Sequence, residues 1–156
     1  MSNCEGVAHA VSHRPVYENV DDRSREQDIA DLLADRWGCL ILKMPRLCVV
    51  DRMAFIGGEA KAWLEIKCRT NAFDKYPTYM ISARKIYDGV HLSRITKVPF
   101  ILVVSWSDCV KYIRVDKVYP LRVGGRYDRN DALDEEVVCD IPLDDCWQKI
   151  VDFRRA

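Results

Sequence analysis

The sequence predicts an α/β fold, a mixed β-sheet flanked by helices, and three observations carry that prediction. Charged residues separate Ile29, Leu32, Leu33 and Trp37 at three- and four-residue spacings, the period of an amphipathic helix. Short apolar runs follow, two of them joined through Gly57-Gly58-Glu59, the composition of a hairpin with a glycine turn. A second helical pattern then leads into Phe100-Ile-Leu-Val-Val-Ser-Trp106, an unbroken apolar run. Such a run suits a strand buried on both faces, with a parallel neighbour reached through a helical crossover.

In chain order, residues 1–17 mix Ser, His, Asn and Pro15 without periodicity and read as a flexible arm. Residues 18–156 are expected to form one domain, as their length allows. A helix over 21–37 starts at Asp21, Asp22 or Ser24 as cap and stops at Gly38. Residues 39–44 form a strand closed by Pro45, and 47–56 and 60–68 form the two arms of the hairpin. After a polar loop, 76–97 reads as a helix with Tyr79, Ala83, Ile86 and Val90 on one face, weakened in the middle by Gly89. Beyond the buried strand, 112–115 alternates as an edge strand, and the stretch from Gly124-Gly125 to Asp134 is expected as an exposed loop. Residues 136–141 form a last strand and 143–153 a terminal helix. The order is helix, three strands, helix, two strands.

Composition narrows the function classes. The chain has 24 basic and 24 acidic residues, so net charge is uninformative. Distribution says more. Six basic residues against two acidic lie between Arg69 and Lys97, and nine acidic against two basic between Asp128 and Asp152. The middle segment suits phosphates and the acidic end faces away from them. No apolar run is long enough to span a bilayer and no secretory pattern is visible, so a cytoplasmic protein without membrane contact is expected. Seven scattered cysteines without CxxC pairs read as reduced, buried small hydrophobes rather than zinc ligands. His9 and His13 would share a face only in a helical arm, and nothing nearby supplies a third ligand.

The chemistry concentrates on the hairpin. Alternate side chains of a strand share a face, so Glu65 and Lys67 point one way with Trp63, while Leu64, Ile66 and Cys68 point the other. A turn of residues 57–59 pairs Ile56 with Ala60 and sets Asp51 opposite Glu65. A two-residue turn at Gly57-Gly58 would instead pair Asp51 with Leu64, unless a bulge restores the register. Two carboxylates face to face repel, and a divalent cation between them removes the repulsion. Mg2+, or Mn2+ in its place, takes oxygen ligands, so Asp51, Glu65 and the Ile66 carbonyl form the expected metal set. That set suits phosphodiester hydrolysis, with Lys67 orienting water or offsetting charge in the transition state. Glu26, on the helix side of Leu33 and Trp37, is expected to approach the metal from outside.

These residues, in this order, resemble the PD-(D/E)xK nuclease superfamily over roughly residues 22–106. Val50-Asp51 stands where that family has Pro-Asp, Glu65-Ile66-Lys67 matches (D/E)xK, and Glu26 matches the glutamate on helix one of many members. The resemblance implies an αβββαβ restriction-endonuclease-like core and a Mg2+-dependent deoxyribonuclease of phage or mobile-element type. Its catalytic residues would be Asp51, Glu65, Lys67 and Glu26. DNA is the implied partner, gripped by Arg69, Arg84 and Lys85. A dimeric enzyme cutting branched DNA (a Holliday-junction resolving endonuclease) and a non-catalytic binding module are the alternative readings; the intact carboxylate–lysine set speaks against the second.

Overall fold

The computed structural model describes residues 20–125 and 135–153, with side chains from Arg23 onward. The expected arm at 1–17 and the loop at 126–134 lie outside the described residues. Helix α1 (Val20–Trp37) is followed by strands β1 (Leu40–Lys43), β2 (Arg52–Ile56) and β3 (Glu59–Cys68). A single 3-10 turn (Phe73–Lys75), β4 (Thr78–Ser82) and helix α2 (Ala83–Thr96) come next. The chain continues through β5 (Phe100–Ser105), β6 (Cys109–Arg114), β7 (Leu121–Gly125), β8 (Glu135–Pro142) and β9 (Gln148–Asp152).

Six strands form one mixed sheet in the order β1-β2-β3-β5-β6-β9, and β4-β8-β7 form a second, antiparallel one. Among the described residues the one parallel pair is β3 with β5, joined by the crossover that contains α2. On one face of the large sheet, Ile29, Ala30 and Leu33 of α1 pack on Ile66, Val103 and Val110. On the other, Ile86 and Val90 of α2 and Tyr79 and Ile81 of β4 pack on Trp63, Phe100, Leu102 and Val104. Strand β5 thus has apolar cover on both sides, which is why its sequence carries no alternation.

Helix α1 already extends to Val20, so Asp21, Asp22 and Ser24 lie inside the helix rather than capping it. Gly38 does stop it, at a φ of 60° that favours glycine. Four expected elements are corrected. Residues 45–51 are turn and bend rather than strand, because the chain must double back from β1 to β2. Residues 78–82 are a strand, not the first turns of α2: Tyr79 and Ile81 face the core while Met80 pairs beside Asp140 of β8. Aromatic and β-branched residues suit that half-buried surface better than a helix. Gly124-Gly125, expected to open a loop, instead end β7, and 148–152 form β9 rather than a helix, pairing with β6. That last pairing also makes β6 an internal strand instead of an edge.

The hairpin between β2 and β3 turns in two residues, Gly57 and Gly58, both at positive φ (59° and 82°), as a tight type I′ turn requires. Alone, this turn would give the register that separates the carboxylates. The pairs run Ile56↔Glu59 and Phe55↔Ala60, but then Ala54↔Ala62, Met53↔Trp63 and Arg52↔Leu64. Lys61 is left without a partner opposite it. This one-residue bulge resets the pairing so that the next position before Arg52, Asp51, lies level with Glu65.

Candidate active site

The bulge brings two acids to one place, Asp51 just ahead of β2 and Glu65 within β3. Asp51 is held at the head of β2 by its carbonyl, which accepts the Met44 amide at 2.9 Å. Glu65 and Lys67 project from β3 on the face that carries Trp63, under α2. That helix is pinned along the strand: the Trp63 indole donates to the Thr96 hydroxyl at 2.9 Å near its end, and Lys85 in its first turn reaches Glu65.

Five charged side chains meet there. Lys67 Nζ lies 3.1 Å from Glu65 Oε1, 3.4 Å from Asp51 Oδ2 and 3.4 Å from Glu26 Oε1. Lys85 Nζ lies 3.0 Å from Asp51 Oδ1, 3.1 Å from Glu65 Oε1 and 3.2 Å from Glu65 Oε2. The cluster is graded in depth: the Glu65 side chain is 1% exposed, whereas Asp51 and Lys85 are 29% and 35% exposed and open it to solvent. Glu65 Oε1 is buried and, although both ammonium groups are near, accepts no well-directed hydrogen bond. Among the described side chains only the Tyr79 hydroxyl shares that condition.

Burial pushes the Glu65 carboxyl up from 4.5 to about 7, with Lys67 and Lys85 opposing the shift and Asp51 reinforcing it. Burial also raises Asp51, but the charges of Lys67 and Lys85 outweigh it and its pKa falls. The closeness of the two acids lowers Asp51 and raises Glu65, so Asp51 is the first of the pair to ionise. Desolvation works against charge on both lysines, yet the surrounding carboxylates raise their pKa and keep them protonated.

The residues singled out from sequence are only partly assembled here. Asp51, Glu65, Lys67 and Glu26 converge, with Glu26 meeting Lys67 and not the other acids. The Ile66 side chain faces α1 in the opposite layer. Lys85 joins the carboxylates themselves. Arg69 lies over the Tyr79 ring at 4.9 Å and donates to the Met80 carbonyl at 3.2 Å. Arg84 is 86% exposed and pairs with Asp88 one turn on. Two features escaped the sequence reading. Arg52, 4% exposed, donates to Gln27 of α1 at 3.1 Å and so ties the helix to the strand that carries Asp51. Tyr79, whose hydroxyl burial pushes to about 12, was hidden by the helical reading of its segment. Among the described residues no group of three His, Cys, Asp or Glu side chains is placed to hold a metal ion together, and no disulfide links the six cysteines among them. None of the described helices is long and apolar enough to cross a membrane.

Among solved structures the chain is similar to Hjc, a Holliday junction resolvase from the archaeal hyperthermophile Archaeoglobus fulgidus. The identity is 15%, over 75% of this chain and 82% of that one, with a TM-score of 0.47. No curated protein sequence matches it. Residues 12–149 match the family described as "Phage putative PDDEXK endonuclease", a span that takes in Glu26, Asp51, Glu65, Lys67 and Lys85. The resemblance in the Glu65-Ile66-Lys67 motif is thereby extended to most of the sequence, and the chain belongs to this family of PD-(D/E)xK endonucleases.

Proposed function

We propose that the chain is a metal-dependent nuclease that hydrolyses DNA phosphodiester bonds, acting as one nuclease-like unit over residues 18–156. The observation that carries this reading is the buried Glu65 carboxyl, level with Asp51 across a bulged hairpin, with Lys67 and Lys85 against both acids. Two carboxylates brought together in a buried place repel when both ionise, and a hard cation between them removes the repulsion. The donor set fits Mg2+ or Mn2+. Asp51 and Glu65 would supply the two carboxylates that such a site ordinarily uses, with the Ile66 carbonyl as a third protein ligand and water and phosphate for the rest. When bound there, the cation supplies Lewis-acid polarisation of the scissile phosphate and makes water more acidic.

The remaining work falls to the chain itself. Lys67 keeps its proton and, anchored by Glu26, orients the attacking water and offsets negative charge growing on the phosphate. The first turn of α2 opens on the same cleft with no acidic residue in it, so its free amides and dipole favour an anion. Arg69 and Arg84, with Lys85, are the residues assigned to the DNA backbone. Beneath Arg69 lies the buried Tyr79 ring, packed edge-on against buried Trp106.

A panel of supercoiled plasmid, linear, single-stranded and branched DNA, incubated with Mg2+ or Mn2+, tests this reading. Cleavage of at least one substrate that chelation abolishes is the expected result. Intact substrates throughout, at protein excess, would remove the enzymatic reading and leave a binding module.

A further inference from the structure

Lys85 has no acceptors in the cluster other than the two carboxylates assigned to the metal. Its ammonium sits 3.0–3.2 Å from three of their four oxygens, Asp51 Oδ1, Glu65 Oε1 and Glu65 Oε2. A dication bridging the same carboxylates binds their oxygens at about 2.0–2.5 Å, so it needs the volume this ammonium fills. The two also repel, and in a partly buried cleft that repulsion is weakly screened. Lys67 differs. It keeps a third partner, Glu26 at 3.4 Å, when Asp51 and Glu65 turn to another cation. Lys85 loses every partner it has among the described residues.

We infer that Lys85 is a built-in counter-cation of the Asp51–Glu65 pair, which metal must displace and which then becomes free for the substrate phosphate. This rests on the nuclease reading and deepens it. Two facts make the exchange feasible. The Lys85 side chain is already 35% exposed, so its four-carbon stem can turn outward without unpacking α2. It also lies in the first turn of that helix beside Arg84, which is 86% exposed, so an outward ammonium extends a cationic edge. Phosphate and metal then favour one another: metal frees the lysine, and the phosphate holds the freed lysine away from the metal. A protein without DNA binds metal weakly, and DNA tightens it.

Calorimetric titration of the DNA-free full chain with Mn2+ tests the exchange, using wild type, Lys85→Ala, Lys85→Met, Lys85→Arg and Asp51→Ala. Removing the competing charge should tighten Mn2+ binding by about tenfold or more in Lys85→Ala and Lys85→Met. Lys85→Arg, which keeps the charge, should stay near wild type. Cleavage at saturating metal should nonetheless be slower in Lys85→Ala. Equal or weaker Mn2+ binding by both neutral variants overturns the inference, as does Lys85→Arg binding as tightly as they do. The Met variant retains the packing of the stem should Ala unsettle the helix. Asp51→Ala separates the two levels. If it binds Mn2+ and cuts DNA like wild type, the metal site itself is wrong and the inference falls with it.

Discussion

Replacing Glu65 with Gln should stabilise the metal-free protein, and only above a defined pH. The carboxyl is fully buried and its pKa is raised from 4.5 to about 7, burial being the largest cause. Between those values the unfolded chain has released a proton that the folded chain still holds. Stability therefore falls as pH rises from about 4.5 to about 7 and stays lower above it. A rise of this size corresponds to about 3 kcal/mol at pH 8, to order of magnitude. Glutamine keeps the shape without the charge, so Glu65→Gln should gain up to about 3 kcal/mol at pH 8 and little at pH 4.5. Asp51 has the opposite sign. Its lowered pKa adds stability that is present above the unfolded value and lost as pH falls, so Asp51→Asn should destabilise at neutral pH. Urea unfolding in EDTA, followed by tryptophan fluorescence at pH 5 and pH 8, reads both variants. A gain for Glu65→Gln that is equal at the two pH values, or a loss at pH 8, would refute the reasoning.

Three further outcomes follow from the same geometry. Lys67→Ala should spare metal binding and slow turnover by about two orders of magnitude, the scale of removing one transition-state stabiliser; calorimetry showing lost metal affinity would reassign it. Gly89→Ala should destabilise by about 1–3 kcal/mol in spite of alanine's better helix propensity. An added Cβ would stand 2.4 Å from the Phe100 ring, which is fully buried, and a more stable variant in urea would contradict that packing. Neutralising Arg69 and Arg84 together should weaken DNA affinity and flatten its salt dependence, since each phosphate contact releases counterions; an unchanged slope would route the DNA elsewhere.

Much of the fold was legible because its signals are local. Charged spacing wrote α1, Gly38 its end, and the double glycine the hairpin. The site was legible through the alternation of Trp63, Glu65 and Lys67 and through the partner strand. The register was reached by a different route from the one expected. The chain makes the two-residue turn that alone would ruin the site, and the bulge at Lys61 undoes the damage. A lysine between two alanines carries no bulge signature, so only tertiary pairing reveals it. Residues 78–82 and 148–152 were misread for a related reason. Both take strand form because a partner strand, β8 or β6, is waiting for them, and short apolar stretches do not declare a period of two or of 3.6. Gly89 shows the reverse case: it reads as a defect in a helix, yet it is where the helix approaches Phe100 closely. Lys85 was assigned to phosphate from its place on α2; its contact with both carboxylates depends on how α2 lies along β3, which no local pattern encodes.

The most direct measurement is cleavage of a DNA substrate by wild type, Asp51→Ala and Glu65→Ala, each with Mg2+ and with EDTA, alongside circular dichroism of all three. Both carboxylates are assigned to one cation, so the account predicts that each variant loses cleavage while circular dichroism shows it folded; Glu65→Gln, which keeps the buried shape, stands in should Glu65→Ala unfold. Wild type should cut only with metal. Full cleavage by folded Glu65→Ala, or cleavage by wild type in EDTA, would contradict it.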